Sequence, residues 1–211
     1  MLSANFIDWW FAPWQDEFIT TAATLSDKLS VSAVDAMHAT DDLMSRRDGY
    51  RNWCTHAAIS SELPQAFDPQ WSATALIPPE NLQHAAGLFM GLIAARQPFH
   101  TQQISLNKLP FDDRKWCLSL AATQLLPAYS VDHPEADDSL TTRGLAELAI
   151  RLNAGFPGLW ARLQLRLHEA HRNAVQLRIQ NSWADRDTIA RSATRSQRCW
   201  RLCIQRSEVN Q

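Results

Sequence analysis

Apolar positions recur most densely between Pro78 and Pro127, in two segments that each predict a helix. The first, 82–95, opens on Pro78-Pro79-Glu80. A proline in the first helical turn gives up only an N–H that had no intrahelical partner. Leu82, Ala85, Ala86, Phe89, Leu92 and Ile93 follow in helical steps until Pro98 stops the run. The second segment, 116–126, has Asp112 or Asp113 to cap its first turn. Leu118, Leu120, Ala121, Ala122, Leu125 and Leu126 then precede Pro127. Both segments are apolar around most of their circumference, the pattern of helices buried on several sides. A polar connector containing Ile104, Leu106 and Leu109 joins them, so they are expected to form a central helical hairpin.

Upstream, Phe6, Trp9, Trp10, Phe11 and Trp14 make a dense aromatic N-terminus that packs on the core or meets a partner, since exposure would leave it adhesive. Pro13 is a plausible helix start, placing Trp14, Phe18 and Ala22 on one face. Ser30 or Ser32 can cap a short helix running through Met37, and Tyr50, Trp53, Cys54 and Ala57 restore helical spacing. Pro64, Pro69, Pro78 and Pro79 exclude continuous helix over 63–79, which is expected as an irregular loop pinned by Phe67 and Trp71.

Downstream, residues 131–142 are acidic and turn-rich, the best candidate for a flexible linker. Leu145, Leu148, Ala149 and Leu152 then form an amphipathic helix ending at Gly155, and Phe156-Pro157-Gly158 a sharp joint. Trp160, Leu163, Leu167, Ala170, Ala174 and Leu177 make one long apolar stripe, with Arg162, Arg166 and Arg172 off it. A last helix over about 186–206 carries Ile189, Ala193, Trp200 and Cys203 on one side, and Arg191, Arg195 and Arg198 on another. No strand alternation or internal repeat interrupts this pattern. The expected fold is all-α, a compact single-domain helical bundle over 1–211 with irregular proline-rich loops.

Charge changes the picture more than composition does. The 211 residues are 45% hydrophobic and 20% charged, ordinary for a chain long enough to bury a core. Residues 1–150 hold 9 basic and 18 acidic side chains, a net of −9, whereas residues 151–211 hold 11 arginines and 4 acids, a net of +7. Such asymmetry points to a partner surface or to an acidic–basic contact within the chain. Arginine without lysine favours bidentate contacts to carboxylate or phosphate. Nine tryptophans spread from Trp9 to Trp200 suit packing anchors better than a cofactor cage. Cys54, Cys117, Cys199 and Cys203 fit free buried thiols in a reducing compartment. No basic n-region precedes the first apolar residues, and no apolar run approaches the roughly 20 residues of a bilayer span. A soluble protein without membrane insertion is expected.

Catalytic signatures are missing. His168 and His171 stand three apart, not the four that zinc-protease helices use, although they could in principle join Cys199 and Cys203 as metal ligands. No nucleophile elbow, phosphate loop or dinucleotide fingerprint occurs. Gly87 and Gly91 signal close helix packing at most. Asp41-Asp42, Asp112-Asp113 and Asp137-Asp138 adjoin helix starts or polar loops, where capping and solvation are the usual roles. The expectation is a protein without catalytic activity, cofactor or metal. The arginine face is a solvated surface, a dock for an acidic protein, or a contact for nucleic acid phosphates. The last is disfavoured by a pI near 6.4 and by the acidic first 150 residues.

Several stretches together resemble the SctK family of accessory proteins in bacterial type III secretion: the aromatic-proline opening from Phe6 to Pro13, the central segment from Leu82 to Leu92, and the run from Leu159 to Leu167, similar to that family's Trp-x-Arg-Leu-x-Leu-Arg element. The likeness covers about two thirds of the chain loosely. It implies a non-enzymatic, cytoplasmic adaptor of the sorting platform, peripheral to the inner-membrane base. Such an adaptor links the cytoplasmic domain of the ring protein SctD to the pod protein SctQ. A secretion chaperone or a nucleic-acid-binding helical protein is the alternative. The residues expected to meet partners are Trp9, Trp10, Trp14, Arg162, Arg166, Arg191, Arg195 and Arg198.

Overall fold

The computed structural model describes residues 1–13, 43–130 and 139–209. The fold is all-α, and among the described residues the only β-pairing is an isolated bridge between Ser130 and Ser182. The helices are α1 (Ala4–Phe11), α2 (Leu43–His56), α3 (Pro79–Ala94), α4 (Phe99–Leu106), α5 (Phe111–Ala121), α6 (Leu140–Gly155), α7 (Leu159–Leu163), α8 (Glu169–Gln180), α9 (Arg186–Arg191) and α10 (Ala193–Val209). Among the described residues there are also 3-10 helices at Pro69–Leu76 and Gln164–Arg166. The helices proposed to begin at Pro13 and at Ser30 or Ser32 fall on residues outside those described.

The chain forms two compact units, one of Met1–Leu76 with Phe156–Glu169, the other of Ile77–Gly155 with Ala170–Gln211. The divisions fall beside prolines 78 and 157 and at the start of α8, not in the acidic stretch. Of that stretch, 131–138 lies outside the described residues, and Ser139 caps α6 by accepting from the Thr142 N–H at 3.1 Å.

In the first unit, Ser3 caps α1, its hydroxyl accepting from the Phe6 N–H at 3.2 Å. The sequence pattern predicts no helix over these residues. Phe6 and Trp10, one turn apart, both close on the buried Phe156 ring at 5.5 and 5.6 Å, and Phe67 stacks on it at 4.5 Å. Phe6 and Trp10 of the aromatic N-terminus thus pack inward, while Trp9 is half-buried and Phe11 exposed. Trp71 is buried on the 3-10 helix, within the stretch read as an irregular loop. Tyr50, Trp53 and Cys54 of α2 pack with Leu165.

Helix α2 ends in a Schellman turn: the Ala58 N–H donates to Thr55 O at 3.1 Å and the Ile59 N–H to Cys54 O at 2.9 Å. Ile59 folds back onto the Tyr50–Trp53–Cys54 cluster, the apolar contact that accompanies this cap. The left-handed residue, usually glycine, is Ala58 at φ 55°.

The second unit is organised on α3. Twelve of its residues are buried, including Leu82, Ala85, Ala86, Phe89, Leu92 and Ile93. Its foremost partner is α6, followed by α10 and α5. The expected contact of 82–95 with 116–126 is present, but α6 and α10 are larger partners of α3 than α5 is. Helix α5 buries only a strip of Asp113, Cys117 and Ala121, one residue per turn, and leaves Leu118 exposed. The connector expected to be polar contains α4.

Glycines decide the pairing. A Cβ on Gly144 would lie 1.8 Å from the Ala86 carbonyl oxygen, so α6 meets α3 backbone to backbone. A Cβ on Gly91 would lie 2.8 Å from both Cys117 Sγ and Leu109 Cδ1, so Gly91 seats α5. Two long helices expected from sequence are broken. The 160–177 stripe is interrupted where Leu167 turns extended (φ −97°, ψ 148°), and the last helix divides at Ser192 between α9 and α10.

Gly144→Ala is expected to lower stability by at least about 2 kcal/mol in urea unfolding, because backbone cannot yield as a side chain does. Gly87→Ala, whose Cβ would meet only Thr141 Oγ1 at 3.6 Å, should be neutral or stabilising. Ala58→Gly relieves the left-handed alanine and should raise stability by about 0.5–1 kcal/mol in the same assay.

Candidate functional site

The chain's polar chemistry lies partly inside the helices and partly on an exposed arginine face. In the interior of the second unit, Glu147 is fully buried on α6. Its Oε1 accepts from the Tyr129 N–H at 2.8 Å, the Ser130 N–H at 2.7 Å and the Ser130 hydroxyl at 2.7 Å. One turn on, Arg151 donates from NH1 to Glu147 Oε2 at 2.5 Å, from NH2 to Pro127 O at 2.6 Å and from Nε to Ser196 Oγ at 3.1 Å. Its guanidinium lies 4.4 Å from the Tyr129 ring centroid and 5.1 Å from that of Phe89. Each charge is paired and hydrogen-bonded, the condition under which a buried ion pair is tolerated. The network ties the 127–130 connector and α10 to α6, and its chemistry is structural.

Asp113, expected to cap or to be solvated, is buried at 2% exposure. Its Oδ2 lies 2.9 Å from His84 Nε2 on α3, and its Oδ1 accepts from Arg206 Nε on α10 at 3.1 Å. A His–Asp pair invites a catalytic reading, but the neighbouring thiol does not fit a nucleophile. Cys117 donates to Leu88 O at 3.5 Å, and burial, with help from the Asp113 charge, pushes its pKa up to about 12. Burial also raises Cys199, and raises Cys203 well above the usual thiol range. All four cysteines are free and buried. Among the described residues no group of three or more His, Cys, Asp or Glu side chains could hold a metal, so His168 and His171 do not assemble with Cys199 and Cys203.

In the first unit, Arg162 is buried with its guanidinium 4.0 Å over the Trp10 ring. It donates from NH2 to the Tyr50 hydroxyl at 2.7 Å and to Ser60 O at 2.8 Å. Arg166 is 9% exposed and donates to Ala75 O at 3.0 Å. Arg162, Arg166 and Trp10 were expected at a partner surface; they are interior residues that hold α1, α2 and the 3-10 helix to the segment after Phe156. Trp9 is half-buried, and Trp14 lies outside the described residues. Arg151 and Arg178 are buried too, so the C-terminal excess of arginine is not all surface charge.

Three of the expected residues remain on the surface. Arg191, on α9, donates to Thr188 Oγ1 at 3.1 Å; Arg195, on α10, donates to Leu125 O at 3.1 Å; Arg198 lies one turn further. All three are exposed, and none forms an ion pair among the described residues. Asp185 stands nearby, its carboxylate capping α9 through the Thr188 N–H at 2.7 Å. Hydrogen bonding by the Thr188 hydroxyl, then by its N–H, and the Arg191 charge hold its carboxyl below the usual range. Leu125, 49% exposed, and Trp183, 59% exposed, border this face. Sequence reading passed over Trp183 as one tryptophan among nine and placed Leu125 in the core. Nothing in their spacing marks them as surface residues. Glu147 and Arg151 did leave a signal, an opposite-charge i,i+4 pair inside an apolar helix.

Glu147→Gln removes the counter-charge of a buried guanidinium and should cost about 2–4 kcal/mol by urea unfolding. A second expectation concerns alkali. In the folded chain the Cys117 and Tyr50 pKa values stand at about 12, against ordinary values of 9.0 and 10.0 in an unfolded chain. The unfolded chain therefore sheds these protons first. Their contribution is complete below pH 9 and fades as pH rises towards 12, so the urea midpoint should fall between pH 8.5 and 10.5 by more than solvated tyrosines and lysines explain (roughly the pH span set by those pKa values).

Comparison of the chain with family models, with curated proteins and with solved structures finds no match.

Proposed function

We propose that this chain is a non-enzymatic adaptor that docks protein partners, and that it serves the cytoplasmic sorting platform of a type III secretion system. In that role it joins the cytoplasmic domain of the ring protein SctD to the pod protein SctQ. The resemblance of the Phe6–Pro13, Leu82–Leu92 and Leu159–Leu167 stretches to the SctK family supplies the system. The observation that carries the docking reading is the set of exposed arginines, Arg191, Arg195 and Arg198, without ion-pair partners among the described residues.

Exposed guanidinium groups in fixed positions suit recognition of carboxylates on a partner. The His84–Asp113 pair sits beside a thiol held protonated, and the Glu147–Arg151 pair has its hydrogen-bonding capacity used internally, so neither offers a poised reactive group. No described helix is long and apolar enough to cross a membrane, in keeping with a docked rather than inserted role.

Nucleic acid binding is the second reading, favoured by the same arginines. The exposed Asp187 and the acidic balance of residues 1–150 oppose it.

The triple reversal Arg191→Glu, Arg195→Glu, Arg198→Glu tests the proposal. Co-purification with SctQ or SctD should fall by at least about tenfold, the scale of one hot-spot loss, while the urea midpoint stays close to that of the parent. Undiminished capture of both partners overturns the docking role of this face. Retention of DNA or RNA that weakens steeply with salt would favour the second reading.

A further inference from the structure

Trp183 is more than half exposed, yet it is firmly seated. Its N–H donates to Tyr129 O at 3.1 Å, its ring meets the Tyr129 ring edge-on at 5.7 Å, and the Ser130–Ser182 bridge fixes the two connectors beside it. Tyr129 is itself fully buried, with its hydroxyl 2.5 Å from Ser192 Oγ and donating to Thr188 O at 3.3 Å. Thr188 in turn holds Arg191, and three residues past Ser192 Arg195 bonds the carbonyl of the exposed Leu125. One buried tyrosine therefore ties together the segments that carry two exposed apolar side chains, Trp183 and Leu125, and two exposed guanidinium groups, Arg191 and Arg195, that form no ion pair among the described residues.

We propose that this surface is a docking site for an acidic amphipathic protein segment, its apolar side chains resting on Trp183 and Leu125 and its carboxylates on Arg191 and Arg195. The proposal rests on the adaptor reading and names the chemistry of one partner. Charge complementarity selects a negative occupant, since Arg195 has no ion-pair partner among the described residues and Arg191, though near Asp185, forms no ion pair with it. Bases can stack on Trp183, but the aliphatic Leu125 favours an apolar side chain of a protein segment, and the dense phosphate charge of a strand would meet Asp185 and Asp187 beside the arginines. Tryptophan and arginine on a rigid base are the side chains that dominate interface energetics, because little side-chain freedom remains to be lost on binding.

The test uses the full chain and a synthetic helical peptide with leucines along one face and glutamates along the other, titrated by calorimetry. The peptide should bind, and replacing its glutamates by glutamine should abolish binding. Trp183→Ala and Leu125→Ser should each weaken binding at least about tenfold. Their circular dichroism and urea midpoints should stay near the parent's, as both side chains are about half exposed or more. Should either variant unfold, Arg195→Gln at the exposed surface reads the same site. Unchanged affinity in the folded variants overturns the proposal. Tighter binding of a single-stranded oligonucleotide or an anionic phospholipid vesicle than of the peptide, at equal salt, does so too. Capture of SctQ and SctD by the same variants separates the two readings. A chain that binds the peptide through Trp183 but captures neither partner keeps this site and loses the secretion assignment. A chain that captures a partner but ignores the peptide loses this site alone.

Discussion

The second unit depends on one close approach. Gly144 brings α6 to a distance from Ala86 at which no side chain, not even a methyl group, can stand between the helices. Two consequences follow from that geometry. Leu145, Leu148, Ala149 and Leu152 reach the buried side of α3 and complete its enclosure. The polar residues of α6, Glu147 and Arg151, are carried inward with them, because a helix that is buried nearly all round has no outer face left for its charges. The ion pair is thus a consequence of the packing. Its cost is offset by the backbone and hydroxyl groups of Tyr129, Ser130, Pro127 and Ser196.

The same logic divides the arginines into two populations. Arg151 and Arg162 are inside, lying over aromatic rings and donating to carbonyls or hydroxyls, where a planar, weakly hydrated cation is tolerated better than an ammonium. Arg191, Arg195 and Arg198 are outside, anchored at most to a threonine hydroxyl or a backbone carbonyl. In the interior the guanidinium is a fastener; on the α9–α10 face it is a presented group. Tryptophan divides likewise, with Trp10, Trp53, Trp71 and Trp200 buried and Trp183 open. An open tryptophan and exposed arginines that form no ion pair among the described residues are groups chemically suited to holding another protein.

Much of this was legible in the amino acid order. The all-α class follows from apolar steps of three and four, and the beginning of α3 follows from Pro78 and Pro79, since proline starts a helix where its missing N–H has no consequence. The burial of α3 follows from an apolar circumference. Free cysteines follow from their apolar settings. Each of these is a local property, decided by a residue and its neighbours within a few turns.

Which helices pair was not local. Gly144 gives no sign in sequence that it faces Ala86 rather than solvent, so α6 was not expected as the chief partner of α3. The breaks at Leu167 and Ser192 cut patterns that a straight helix would continue, and they fall where chain direction must change to pack. Whether an arginine is interior or exposed was equally undecidable, because guanidinium is compatible with both and the difference lies in which ring or carbonyl the fold delivers to it. Periodicity along the chain therefore determined which segments are helices and which residues prefer burial. Tertiary contact alone decided their partners, and with them which charges are spent within the protein and which remain to be met from outside.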